Sequence, residues 1–225
     1  MKKVFKVLLI DNHPIILEVY KVALNKTSVL IDNSSFEIET AENIETAMQK
    51  IVLASKSGGF DIVFLDIRLP HSDNEKILSG EDIGIKINQL SPNTKIIIST
   101  TFNDNYRVQN ILRTVNPDGF LIKNDIDTEV LIEAIKTVIK DPPYYSKSVL
   151  KLLRKQISSE FFLDKIDRQL LYELSIGTKM KDLPDIIPMS MAGIEKRKRQ
   201  LREIFNVEDN DDRGLVLIAK EKGFI

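Results

Sequence analysis

The stretch DIVFLDIRLP, residues 61–70, decides the fold. Residues 61–65 are apolar almost without alternation, as in a strand covered on both faces of a parallel sheet. Asp66 follows at once, so a carboxylate stands where that strand reaches the rim. Working outward, VFKVLLI (4–10) reads as a first strand, and residues 14–26 as a helix with Pro14 in its first turn. Residues 36–41 form a second strand with period-2 character. A helix over 43–55 has Asn43 as its N-cap. Beyond Asp66, apolar runs at 95–100 and 118–123 alternate with amphipathic stretches at 81–90, 104–115 and 127–140. Five strands and five helices in strict alternation predict an α/β domain, a five-stranded parallel sheet with helices on both faces. Such sheets place their sites at the carboxyl ends of the strands.

Asp141-Pro142-Pro143 stops the last of these helices, because proline lacks the amide donor and biases its predecessor away from helix. No further β-like run follows. The reading divides the chain into a first domain over 1–141, a linker over 142–160 with a short amphipathic helix at 146–156, and a small all-α domain of four helical segments over 161–225.

Composition narrows the chemistry. Of 225 residues, 43% are hydrophobic and 29% charged, the balance of an ordinary soluble protein. The absence of cysteine excludes disulfides, thiolate zinc sites and thiol nucleophiles. The opening MKKVFKVLLIDNHP sets basic residues before apolar ones, but its unbroken apolar run, Val7 to Ile10, is too short for a signal core. No stretch approaches the ~18 apolar residues of a membrane span, so a cytoplasmic protein is expected. The net charge of −1 means that any nucleic-acid binding must come from local clustering.

Asp11-Asn12, Asp66, Thr100 and Lys123 end strands one, three, four and five, and converge in this topology. Each alone has an ordinary reading: a capping acid, a β-forming threonine, a solvated lysine. Together they suit phosphoryl transfer to a carboxylate, which needs mainly positioning and charge stabilisation. A cation held by oxygen ligands would offset the repulsion between Asp66 and an incoming phosphoryl group. The Thr100 hydroxyl and the Lys123 ammonium would serve the phosphoryl oxygens. His13 and His71 have no second histidine or cysteine at ligand spacing and read as turn and loop residues.

LLIDNHP, VFLDIRLP, IIISTT and GFLIK resemble the four signature strands of two-component receiver domains, over about residues 4–140. The resemblance implies a flavodoxin-like (βα)5 fold and a phosphoryl group accepted on Asp66 from a sensor histidine kinase. It implies Mg2+ held by Asp11, Asn12, Asp66 and the Arg68 backbone carbonyl, with Thr100 as switch hydroxyl and Lys123 as phosphate-binding lysine. Phe120 would be the aromatic that swings inward. Three departures stand out. Asn12 replaces the usual second acid, which predicts weaker magnesium binding. The segment HSDNEKILSG makes a long loop after Pro70. Asn124 stands where a proline in a cis bond is common.

In the second domain, SMAGIEKRKRQLREIF opens on Ser190, a good N-cap, with Ile194, Leu201, Ile204 and Phe205 along an inner face. Glu195, Lys196, Arg199 and Arg202 share the opposite face. That face suits a major groove, where arginine reads guanine and lysine meets phosphate. From Glu160 to Ile225, 12 basic and 13 acidic residues nearly cancel, so the clustering is local. This segment is similar to the LuxR-type helix-turn-helix of receiver-linked transcription factors. The resemblance implies binding to double-stranded DNA through Glu195, Lys196 and Arg199, to which the basic run adds Lys198 and Arg202, in a homodimer formed at least on phosphorylation. Three other readings stay open: a phosphorylation-independent receiver, a protein-interaction module at the C-terminus, and an aspartate-nucleophile phosphatase. The last wants an acid two residues after its nucleophile, where Asp66 has Arg68; the chain is therefore not expected to be a turnover enzyme.

Overall fold

A computed structural model describes residues 3–31, 34–70, 79–102, 104–154, 163–207 and 212–225. The segment HSDNEK within the long loop, and most of the EDNDD run, lie outside these residues. The chain forms two compact units, Met1–Gln156 and Ile157–Ile225. Among the described residues no helix is long and apolar enough to cross a membrane.

The first unit is a parallel sheet ordered β2-β1-β3-β4-β5-β6: β1 (Lys3–Ile10), β2 (Ser34–Ala41), β3 (Ile62–Asp66), β4 (Lys95–Thr100), β5 (Gly119–Ile122) and β6 (Tyr144–Tyr145). Its helices are α1 (Pro14–Leu30), α2 (Ile44–Ser55), α3 (Gly80–Leu90), α4 (Asn105–Thr114), α5 (Thr128–Lys140) and α6 (Lys147–Arg154). Alternate β1 side chains explain its unbroken apolarity. Leu8 and Ile10 join the core under α2, α3 and α4, while Val7 and Leu9 join the core under α1 and α5. Asn43 caps α2 as expected, accepting from the Thr46 N–H at 2.8 Å.

The sheet has six strands where the sequence predicts five, and residues 144–154, set aside above as linker, belong to the first unit. Tyr144 N–H donates to the Asp118 carbonyl and Ser146 N–H to the Phe120 carbonyl, which extends the sheet past β5. Helix α6 then buries Val149 and Leu152 in the core that holds Phe120. A two-residue strand behind two prolines has no periodicity to betray it.

A buried polar cluster joins α3 to α4. Glu81 pairs with Arg107, both fully buried. The other Glu81 oxygen accepts from Asn110 Nδ2 at 2.9 Å and Thr114 Oγ1 at 2.6 Å.

The second unit contains α7 (Lys165–Ser175), a 3-10 turn (Met180–Asp182), α8 (Leu183–Ile186), α9 (Met191–Phe205) and α10 (Asp212–Glu221). Asp164 and Asp167 form a reciprocal capping box at the start of α7. The second helical segment is shorter than its sequence suggests. Pro184 is tolerated in its first turn, but Pro188 forces Ile187 into extended backbone and ends it. Ser190 caps α9, and Ile194, Leu201 and Phe205 bury its inner face as expected.

Candidate functional site

The four strand ends meet at one rim. In register, Asp66 lies opposite Ser99 and Thr100 opposite Ile122. Asp11, directly after β1, and Asp66 are both buried. Lys123 Nζ lies 2.7 Å from Asp11 Oδ2 and 2.7 Å from Asp66 Oδ2, with its side chain only 8% exposed. The other Asp66 oxygen accepts from the Arg68 N–H at 2.9 Å. Burial raises the Asp66 pKa above the ordinary carboxylate range, and the nearby Lys123 charge opposes that rise without cancelling it.

The residues also fit a divalent cation. The ligand atoms of Asp11, His13 and Asp66 all lie within 4.8 Å of one another. Asn12 Oδ1 is buried with no hydrogen-bond partner, an oxygen left to face a ligand. His13, read from sequence as a turn residue, leans on the cluster with Nδ1 3.0 Å from Asp11 Oδ1. Two carboxylates against one ammonium leave the pocket about one negative charge, since Asn12 adds none.

Thr100 is buried, and its Oγ1 accepts from the Phe102 N–H at 3.2 Å, within its own loop. Phe120 is fully buried. Two residues beneath the pocket escape sequence reasoning: Tyr20 donates to Ser99 Oγ at 2.6 Å, with its ring stacked on Phe64. Gly80 is a close-approach glycine, because a Cβ there would stand 2.1 Å from the Asp66 carbonyl oxygen.

The response regulator receiver domain model matches residues 7–136, more than half of the chain. The chain belongs to the response regulator receiver family. It is 23% identical over 220 residues to the oxygen regulatory protein NreC of Staphylococcus epidermidis, covering 92% of this chain and 94% of that one. NreC of Staphylococcus aureus is 24% identical over 208 residues, with 87% and 88% covered. Among solved structures, RcsB of Salmonella enterica serovar Typhimurium, bound to promoter rprA with the phosphomimetic BeF3−, matches at TM-score 0.64 and 17% identity, with 97% and 99% covered. A structure of two RcsB dimers bound to two parallel DNAs matches at TM-score 0.56 and 19% identity, with 97% and 98% covered. At these identities the structural matches establish the fold alone.

Helix α9 divides the five basic-face candidates. Glu195, Lys196 and Arg199 are exposed. Lys198 and Arg202 are turned inward instead: Lys198 Nζ lies 3.0 Å and Arg202 Nη2 2.7 Å from Asp212 Oδ1 at the start of α10. Arg197 binds Asp164 and Asp167, each at 2.7 Å, which ties α9 to the α7 capping box. The sequence placed Arg202 on the outer face, but the acidic start of α10 captures it.

Proposed function

We propose that the chain is a transcription regulator of a two-component phosphorelay in the cytoplasm: a sensor histidine kinase phosphorylates Asp66, and the phosphorylated form binds double-stranded DNA as a homodimer. The observation that carries this reading is the convergence of Asp11, Asp66 and Lys123 at the strand tips of a receiver-family chain. An Asp66 carboxylate oxygen attacks phosphorus as the bond to the donor breaks, leaving an acyl phosphate. Lys123, already beside both carboxylates, is placed to balance the added oxygens. The Thr100 hydroxyl, while accepting from the Phe102 N–H, can still donate its own hydrogen to them. Asp11, Asn12, Asp66 and the Arg68 carbonyl would hold Mg2+. When bound, the cation offsets the charge of the carboxylates and the phosphoryl group.

On the DNA side, Lys196 and Arg199 supply cations and Glu195 an acceptor suited to cytosine N4. Lys198 and Arg202 brace the helix through Asp212. Pairing two modest half-sites raises apparent affinity through effective concentration. The names of the relatives support this reading: NreC is a regulatory protein, and RcsB is seen on DNA. The test is anisotropy of labelled duplexes carrying sites selected from a random pool, across a salt series, with and without acetyl phosphate. Binding that tightens on phosphorylation and weakens steeply with salt is expected. Binding absent even at low salt would overturn the DNA reading.

A further inference from the structure

The turn that carries the acceptor-pocket lysine, Lys123, also holds the start of helix α6. Residues Lys123–Asp125 form a single 3-10 turn directly after β5. Asp125 Oδ2 accepts from Ser146 Oγ at 2.6 Å and from the Ser148 N–H at 2.8 Å; Oδ1 accepts from Ser148 Oγ at 2.7 Å. The Ser146 hydroxyl in turn accepts from the Ile122 N–H at 3.2 Å, one residue before Lys123. Ser146 N–H donates to the carbonyl of Phe120. Ser146 itself is buried.

A carboxylate at a helix N-terminus ordinarily comes from the residue just before the helix. Here a turn 21 residues earlier supplies it. Ser146 directly precedes α6, but its hydroxyl is engaged by the Ile122 N–H and Asp125, and the Asp125 carboxylate takes the Ser148 N–H. The arrangement does something a local cap cannot: it makes the Lys123 turn and the first turn of α6 one hydrogen-bonded body. Helix α6 is the last described element of the first unit, and the second unit follows it in sequence.

We propose that Asp125 is a positioning residue that holds Lys123 at the acceptor pocket and transmits movement of its turn to α6. This rests on the function proposed above. When a phosphoryl group on Asp66 draws Lys123 away from Asp11, the turn shifts and Asp125 carries the shift to Ser146 and Ser148. Through these bonds α6 responds to the state of the acceptor pocket.

The test is hydrogen exchange by mass spectrometry on the full chain, with and without beryllofluoride and Mg2+, for the wild type, Asp125→Ala, Asp125→Asn and Ser148→Ala. In the wild type, beryllofluoride changes exchange over 146–150. In Asp125→Ala, basal exchange is roughly tenfold faster at both 122–126 and 146–150, the scale of a lost charge-assisted bond. The beryllofluoride response of α6 disappears, although the response around Asp66 persists. Asp125→Asn, which keeps an acceptor, restores part of the response, whereas a merely local destabilisation of α6 would leave that response in place in every variant. Ser148→Ala, a milder change, accelerates only 146–150. The proposal is overturned if Asp125→Ala keeps the wild-type beryllofluoride response in α6, or if its basal exchange changes at only one end. A wild type that takes up no beryllofluoride contradicts the function proposed above instead, and basal exchange at the two ends still decides the clamp.

Discussion

Replacing Glu81 with leucine strips the carboxylate that faces the buried Arg107 guanidinium. Both side chains are fully buried, so water cannot take over. Breaking one side of such a pair costs about 3–5 kcal/mol. For a unit of this size, 1 kcal/mol moves the midpoint by roughly 2–4 °C, so Glu81→Leu should lower it by roughly 6–20 °C. The double variant Glu81→Leu/Arg107→Met removes the guanidinium together with the carboxylate and should recover most of the loss. A deficit of about 1–2 kcal/mol remains because Asn110 loses the Glu81 oxygen as an acceptor. Thr114 adds little, since its hydroxyl also reaches the Asn110 carbonyl at 2.9 Å. The assay is urea unfolding of the full chain, read by exchange of peptides from β3 and β4 so that only the first unit reports. A loss below about 1 kcal/mol in the single variant, or a double variant worse than the single, would refute the buried-pair account.

Four further outcomes follow from the two units. Asn12→Asp adds a carboxylate to a pocket with one surplus negative charge and should tighten Mg2+ by about tenfold, near 1.4 kcal/mol, read by calorimetric titration; unchanged affinity would mean that residue 12 is not a ligand. Arg199→Ala should weaken DNA binding by about 1–3 kcal/mol while leaving the second unit folded. Lys198→Ala should instead lower its stability by about 0.5–1 kcal/mol and leave the salt slope unchanged, since Lys198 is spent on Asp212. Partial burial would raise the Asp125 pKa, but the Ser146 and Ser148 bonds and the Lys151 charge outweigh it and hold it below the ordinary 3.8. A depressed carboxylate stabilises above its unfolded pKa and stops doing so as pH falls through the folded value. Exchange over 146–150 in the wild type should therefore show full protection from neutrality down to about pH 4 and lose it only below that.

The acceptor pocket was legible because each of its members interrupts an apolar run. Asp11, Asp66, Thr100 and Lys123 close strands whose unbroken apolarity announces burial on both faces, and topology does the rest. Asn43 and Ser190 were legible as caps because capping is local chemistry. What escaped depends on partners far away in sequence. Nothing in the sequence marks Glu81 and Arg107 as partners until α3 and α4 pack. Nor does it mark Asp125, whose partners Ser146 and Ser148 lie more than twenty residues away. Arg202 lies on the outer face of an ideal helix, and only the position of Asp212 turns it inward. Residues 142–160 read as linker because proline marks where a helix stops, and carries no information on whether the following chain returns to the sheet.

The central claim is that one carboxylate takes a phosphoryl group. Incubation of the full chain with acetyl phosphate and Mg2+, followed by intact-mass measurement and peptide mapping, tests it directly. The account predicts one added phosphoryl group on the peptide carrying Asp66, labile to hydroxylamine and lost in Asp66→Asn. Equal labelling of the wild type and Asp66→Asn, or no labelling of a folded wild type at saturating Mg2+, would contradict it.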